Sequence, residues 1–260
     1  MTDRVLSIQG LTKHFGGILA LNGLSFGVGR EGIYSIIGPN GAGKTTLFNC
    51  ISGVFRPDGG KILFQGEDIT GLRGHEIVEL GIARTFQNIR LFSNMTVLEN
   101  VLVGMHSRLR SNFWLTISRS PYQRLEEKRA LKRAYQLLDY VGLKGMEDKL
   151  ATSLPYGLQR RLELARALAS SPKLLLLDEP TAGMLPSESK EIAELLKRIQ
   201  WEFGISILLI EHDMKVVMDV SSKIIVLDLG EKIAEGSPDE IRSDERVIQA
   251  YLGGKGRHPL

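Results

Sequence analysis

The stretch GPNGAGKTT, Gly38 to Thr46, follows the apolar run IYSII and precedes a helical pattern in which Leu47, Phe48 and Ile51 are apolar. It fits Gly-x-x-x-x-Gly-Lys-Thr in the order strand, loop, helix, the context in which that pattern makes a phosphate cradle. Glycines let successive backbone N–H groups close around a phosphate where Cβ atoms would collide, and the helix start behind them offers its positive dipole end to the anion. Gly38, Pro39, Asn40, Gly41, Ala42, Gly43, Lys44, Thr45 and Thr46 are therefore expected to hold a nucleotide's phosphates, Lys44 reaching the β- and γ-phosphates and Thr45 a Mg²⁺ ion.

The remainder of the chain reads as the sheet that such a loop needs. Short β-rich runs, VLSIQGL, LSFGV, IYSIIG and KILFQG, make the N-terminal third rich in strands. From Met95 to Leu168 the pattern turns helical, and EEKRALKRAYQLLDYVGL places Leu131, Ala134, Leu138 and Val141 on one face, with Gly142 as a stop. The other face carries Lys128, Arg129, Lys132 and Arg133. With Arg108, Arg110, Arg119 and Arg124 upstream, the segment is basic: a solvated face first, a surface for an acidic partner or lipid headgroups second. After Pro172 strands and helices alternate: KLLLLDEP, a helix from about Ser187 to Phe203, ISILLIEH, a helix from about Met214 to Val220, and KIIVLDLG. Runs such as Leu174 to Leu177 are apolar throughout, as strands buried on both faces of a mainly parallel, helix-covered sheet must be, so the fold class is α/β.

Composition narrows the setting. A chain of 260 residues can bury its own core, and the single Cys50 leaves no internal disulfide framework. The start MTDRVLSIQG has charged residues where a secretory signal has an apolar run, which points to a reducing cytoplasm. No stretch approaches the roughly 18 apolar residues of a membrane span, so a membrane role has to come through a partner. A net charge of +3 is too small to imply nucleic-acid binding.

A phosphate cradle hydrolyses nothing alone. In LLLLDE, Asp178 ends a buried strand where its carboxylate can join a Mg²⁺ shell, and the adjacent Glu179 points elsewhere and can orient or deprotonate a water. His212 follows ILLIE and Gln87 follows IARTF, both at strand exits, where open parallel sheets bind ligands. His212 is expected on the γ-phosphate, Gln87 on Mg²⁺ and water.

GPNGAGKTT, RTFQ, LPYGLQRR, LLLLDEP, TAGMLP and IEHD stand in the order of the phosphate loop, Gln loop, signature motif, acidic strand, D-loop and His switch of ATP-binding cassette ATPases, which the chain resembles from about residue 5 to 253. The resemblance implies one nucleotide-binding domain with a RecA-like core and an antiparallel β-subdomain in 1–94 and 166–255, a helical signature subdomain in 95–165, and a tail at 256–260. It implies ATP and Mg²⁺ as ligands, with Phe15 stacked on adenine. It also implies a head-to-tail pair of identical or different cassettes, in which Pro155, Tyr156 and Gly157 meet the partner's nucleotide. ARTFQNIRLFSNMTVLENVLVG, the stretch Met105 to Glu127, IEHDMKVVMDVS and IQAYLGG resemble the ATPase subunit of branched-chain amino-acid importers. That subgroup implies two membrane permeases, a separate periplasmic or extracellular substrate-binding protein, and a peripheral place on the cytoplasmic face of the membrane. Related cassettes serve urea uptake and lipopolysaccharide export; EHDM is more similar to the amino-acid and urea importers. Two departures allow a cassette of impaired hydrolysis as the alternative. Leu158 replaces the Gln of Leu-Ser-Gly-Gly-Gln, and Leu185 stands where the D-loop usually has Asp or Asn. Pro155 also removes a hydroxyl and an N–H, but the N–H groups of Tyr156 and Gly157 at a helix start remain.

Overall fold

The computed structural model describes residues 4–106 and 121–253. Strands β1 (Arg4–Phe15) and β2 (Ile18–Gly29) form a hairpin turned at Gly16 and Gly17. β1 also pairs antiparallel with β4 (Gly59–Phe64), which carries the short β5 (Glu67–Asp68). The two long strands outrun the apolar runs VLSIQGL and LSFGV. Gly10 and Gly23, at φ 59° and 61°, sit where the register slips, and these bulges let pairing continue through polar residues.

The second sheet has six strands in the order β10 (Glu231–Gly236), β9 (Lys223–Asp228), β3 (Ile33–Ile37), β8 (Ser206–Ile210), β7 (Leu174–Asp178) and β6 (Ile82–Arg84). All neighbours run parallel except β10, an antiparallel edge. Period-two alternation sorts its apolar residues. Leu174, Leu176, Leu208 and Ile210 pack toward α1 (Lys44–Ile51) and the antiparallel sheet, while Leu175, Leu177, Ile207 and Leu209 pack toward helices on the other side. All eight are fully buried, so the continuous apolar runs are strands covered on both faces.

The helices beyond α1 are α2 (Gly74–Leu80), α3 (Val97–Gly104), α4 (Pro121–Tyr140), α5 (Tyr156–Ala169), α6 (Pro186–Phe203), α7 (Met214–Val220), α8 (Pro238–Ser243) and α9 (Glu245–Gly253). Proline's fixed φ suits the first position of α6, and left-handed Gly204 ends it. The face of α4 needs correcting. Ala134, Leu137, Leu138 and Val141 are buried, whereas Leu131 is 39% exposed. At 3.6 residues per turn Ala130 falls nearer the centre of that face and packs on the core, which leaves Leu131 at the rim. Gly142 (φ 80°) follows the helix end as expected. Lys128, Arg129, Lys132 and Arg133 are exposed. Arg108, Arg110, Arg119 and the side chain of Arg124 lie outside the described residues.

Candidate nucleotide site

The loop Gly38–Gly43 joins β3 to α1 at the carboxyl edge of the sheet. A Cβ on Gly38 would lie 2.0 Å from the Leu227 carbonyl oxygen, and one on Gly43 2.5 Å from that of Ala20. Their φ angles, 151° and 95°, suit glycine alone. Lys44 opens α1 and folds back, its Nζ donating to the carbonyls of Gly38 (2.7 Å) and Pro39 (2.9 Å). Burial lowers the Lys44 pKa, against the opposing pull of Glu179 and Asp178. The loop from Asn40 to Thr46 lines a cleft of about 430 Å³ together with Ile18, Leu19, Ala20, Gln87, Glu179, His212 and Leu229.

Glu179 has φ 49°, the left-handed region, in a residue that gains nothing from it locally. Such a conformation costs on the order of 1–3 kcal/mol and persists only where surroundings enforce it. Its N–H is pinned to the Ile210 carbonyl at 2.8 Å. The turn separates two consecutive carboxylates. Asp178 stays inside the protein, 2% exposed, its Oδ2 accepting from Arg84 Nη2 at 3.0 Å. Glu179 enters the cleft, Oε1 lying 2.7 Å from His212 Nε2 and Oε2 accepting from Gln87 Nε2 at 2.9 Å. With Glu179 ionised, the His212 proton sits on Nε2. The structure thus brings Lys44, Thr45, Gln87, Glu179 and His212 around one cleft, with Asp178 directly behind it.

Two residues that sequence reasoning missed hold this arrangement. Arg84, at the end of β6, reaches Asn49 Oδ1 (2.7 Å), Ser52 Oγ (2.8 Å) and Asp178. Burial raises the Asp178 pKa despite Arg84 and lowers that of Arg84 despite Asp178, so desolvation outweighs attraction on both sides. Glu211, buried after β8, accepts from the N–H groups of Thr181 (2.9 Å), His212 (2.8 Å) and Asp213 (3.3 Å), and from the Thr181 hydroxyl. It fastens the loop bearing His212 to the loop after Glu179. The available signal was positional: a charged residue at a buried strand end beside an acidic one.

Other expected residues lie outside the cleft lining. Phe15 is half-exposed at the tip of β1, edge-on to Phe55 (5.2 Å between ring centroids) and under Lys13. Pro155 precedes α5, and Pro155 and Gly157 border a separate cavity with Leu158, Met184 and Glu188. The donor set suits Mg²⁺, which takes oxygen ligands: Asp178 Oδ1 is buried without a partner, Thr45 is exposed in the cleft, and Gln87 keeps its carbonyl oxygen as a ligand atom.

A glycine loop closed on a helix start, at the carboxyl edge of a mainly parallel sheet, defines a P-loop nucleotide-binding protein of the α/β class. The chain belongs to the ABC transporter family: that family's profile matches residues 21–182. A second profile, described as branched-chain amino acid ATP-binding cassette transporter, matches residues 231–256. The chain is 46% identical to the high-affinity branched-chain amino acid transport ATP-binding protein BraF of Pseudomonas aeruginosa, over 97% of this chain and 99% of that protein. To LivG of Escherichia coli K12, of the same description, it is 45% identical over the same shares. Among solved structures, the ADP conformation of an ABC transporter cassette superposes with a TM-score of 0.83 at 33% identity, over 97% of this chain and 100% of that one. A nucleotide-free cassette gives 0.83 at 32% identity, over 95% and 98%. The chain is an ATPase cassette coupled to transport.

Proposed function

We propose that this cassette drives uptake of branched-chain amino acids through a membrane complex. Relatives of nearly the same length carry that description, and the profile at 231–256 covers a part of the chain far in sequence from the phosphate loop. Among the described residues no helix is long and apolar enough to cross a membrane. On this reading the chain works on the cytoplasmic face beside two permeases, with solute choice left to them and to a separate binding protein. Two cassettes pair head to tail, each signature helix covering the partner's nucleotide. Dimeric cassettes of 27% identity support the pairing. The described residues within 95–165 are read as the helical unit, and α5, which runs on to Ala169, ties it to the core.

The observation that carries the mechanism is the double hold on Glu179. In ATP hydrolysis a water oxygen bonds to the γ-phosphorus as the bond to the bridging oxygen breaks, and ADP and phosphate leave. Glu179 orients that water and takes its proton; Gln87 and His212 fix both carboxylate oxygens beforehand. Lys44 leaves the loop carbonyls for the phosphates. Thr45, Asp178 and Gln87 would hold Mg²⁺, which would supply neutralisation of the phosphate charge. Glu179→Gln keeps the shape but not the base. Turnover is expected to fall about 100-fold or more while ATP binding persists; phosphate release and equilibrium binding measure the two. Wild-type turnover in that variant removes Glu179 from this role. The solute is tested by uptake of labelled leucine, isoleucine, valine and urea in cells with and without the gene.

A further inference from the structure

Among the described residues Arg160 is the largest fully buried side chain. It lies one turn into α5, four residues after Tyr156. Its guanidinium donates from Nη1 to the carbonyl of Phe86 (2.8 Å) and from Nη2 to that of Gln87 (2.8 Å). Nη1 also pairs with Glu163 Oε2 at 2.7 Å. Glu163 completes the grip, its Oε1 accepting the Phe86 N–H at 3.4 Å. Two side chains of one helix thus read the backbone of residues 86 and 87 much as a neighbouring strand would. Nη2 further reaches the Tyr156 hydroxyl (3.4 Å) and the Glu179 carbonyl (3.5 Å).

A buried ion pair is a poor way to gain stability, because desolvating both charges offsets most of their attraction. Here Arg160 Nε also lies buried without a partner. The pair's yield is geometric. Past Arg84 the Thr85 N–H still bonds the Leu176 carbonyl of β7 at 2.9 Å, and beyond it the planar guanidinium fixes two successive carbonyls of the Gln87 loop at once.

We propose that Arg160, oriented by Glu163, is a positioning residue: it locks the Gln87 loop to α5, so that the amide holding Glu179 and the start of the signature helix move as one body. A shift of α5 on closure over a partner's nucleotide is then felt at this chain's own Glu179. The inference rests on the reading of Glu179 and Gln87 as the hydrolytic pair.

The test uses the purified full chain, with ATP affinity, KM, kcat and thermal midpoint measured for each variant. Arg160→Met/Glu163→Leu removes both charges together, so no lone buried charge is left to unfold the protein. It is expected to keep its midpoint within a few degrees and its ATP affinity within about threefold, and to lose kcat about tenfold or more. Arg160→Lys restores one donor without the planar fork, and its kcat should fall between those of the double variant and wild type. Wild-type kcat in the double variant overturns the proposal, as does a parallel loss of affinity and kcat, which marks a merely structural pair. Glu179→Gln serves as the control. If it abolishes turnover while the double variant keeps wild-type kcat, the positioning role fails and the reading of Glu179 stands; if it turns over normally, both fall.

Discussion

Asp178 and Glu179 are neighbours in the chain with opposite surroundings, and one backbone angle separates them. Left-handed Glu179 faces the cleft, while Asp178 keeps Arg84 at 3.0 Å in the protein. Both partners of that pair are disfavoured as ions by burial, so removing one strands the other. Arg84→Met is expected to cost about 3–5 kcal/mol of stability, read by urea unfolding; a loss well under 1 kcal/mol would show that water reaches Asp178. The carboxylates and Lys44 were legible because each ends or begins an element of strong pattern. Arg84 and Glu211 were not, since one charged residue at a strand end does not reveal which distant side chain it meets. Phe15, expected on the adenine base, sits edge-on to Phe55 and pairs across the hairpin with Ile18, which lines the cleft.

Helix α5 shows how an element can carry two tasks. Its stripe Leu162, Ala165 and Ala169 is buried as its spacing implies, and Leu158 packs partly against the same core. Its first turn leaves the N–H groups of Tyr156 and Gly157 without helical acceptors, the feature an anion site needs. Leu158→Gln is expected to raise turnover above wild type by restoring a hydrogen-bonding side chain there, at about 1 kcal/mol of lost burial. Steady-state phosphate release and urea unfolding check the pair of effects, and equal rates would show that the apolar residue costs the site nothing. On α4 the spacing puts Ala134, Leu138 and Val141 inside as expected, and Leu131 alone of the four falls outside. The face is decided by α3 and α5 packing on it, which sets Leu137 inside and Leu131 at the rim.

At the scale of the molecule, α1 lies between the two sheets and carries Cys50 into the core they share. Burial pushes its thiol up to about 11. A raised folded-state value means that the folded chain keeps this proton while the unfolded chain loses it near its ordinary value. The group's contribution is therefore full below about pH 8.5 and fades as pH rises toward 11. Labelling by iodoacetamide at pH 8 should be slow in native protein and track global unfolding in urea; rapid native labelling would mean that α1 opens locally.

The amino-acid sequence by itself determined the phosphate loop, the both-face burial of Leu174 to Leu177 and Ile207 to Ile210, and the family, because these are local patterns of glycine spacing and apolar period. Only the tertiary structure decided which side chains meet. The pairing of Arg84 with Asp178, the clamp of Glu211 on Thr181, the grip of Arg160 on the Gln87 loop and the convergence of Gln87 and His212 on Glu179 join residues 30 to 94 positions apart in the chain. Such contacts depend on strand order and on how helices pack over the sheet, and strand order is a property of the whole chain's folded topology rather than of any window of residues.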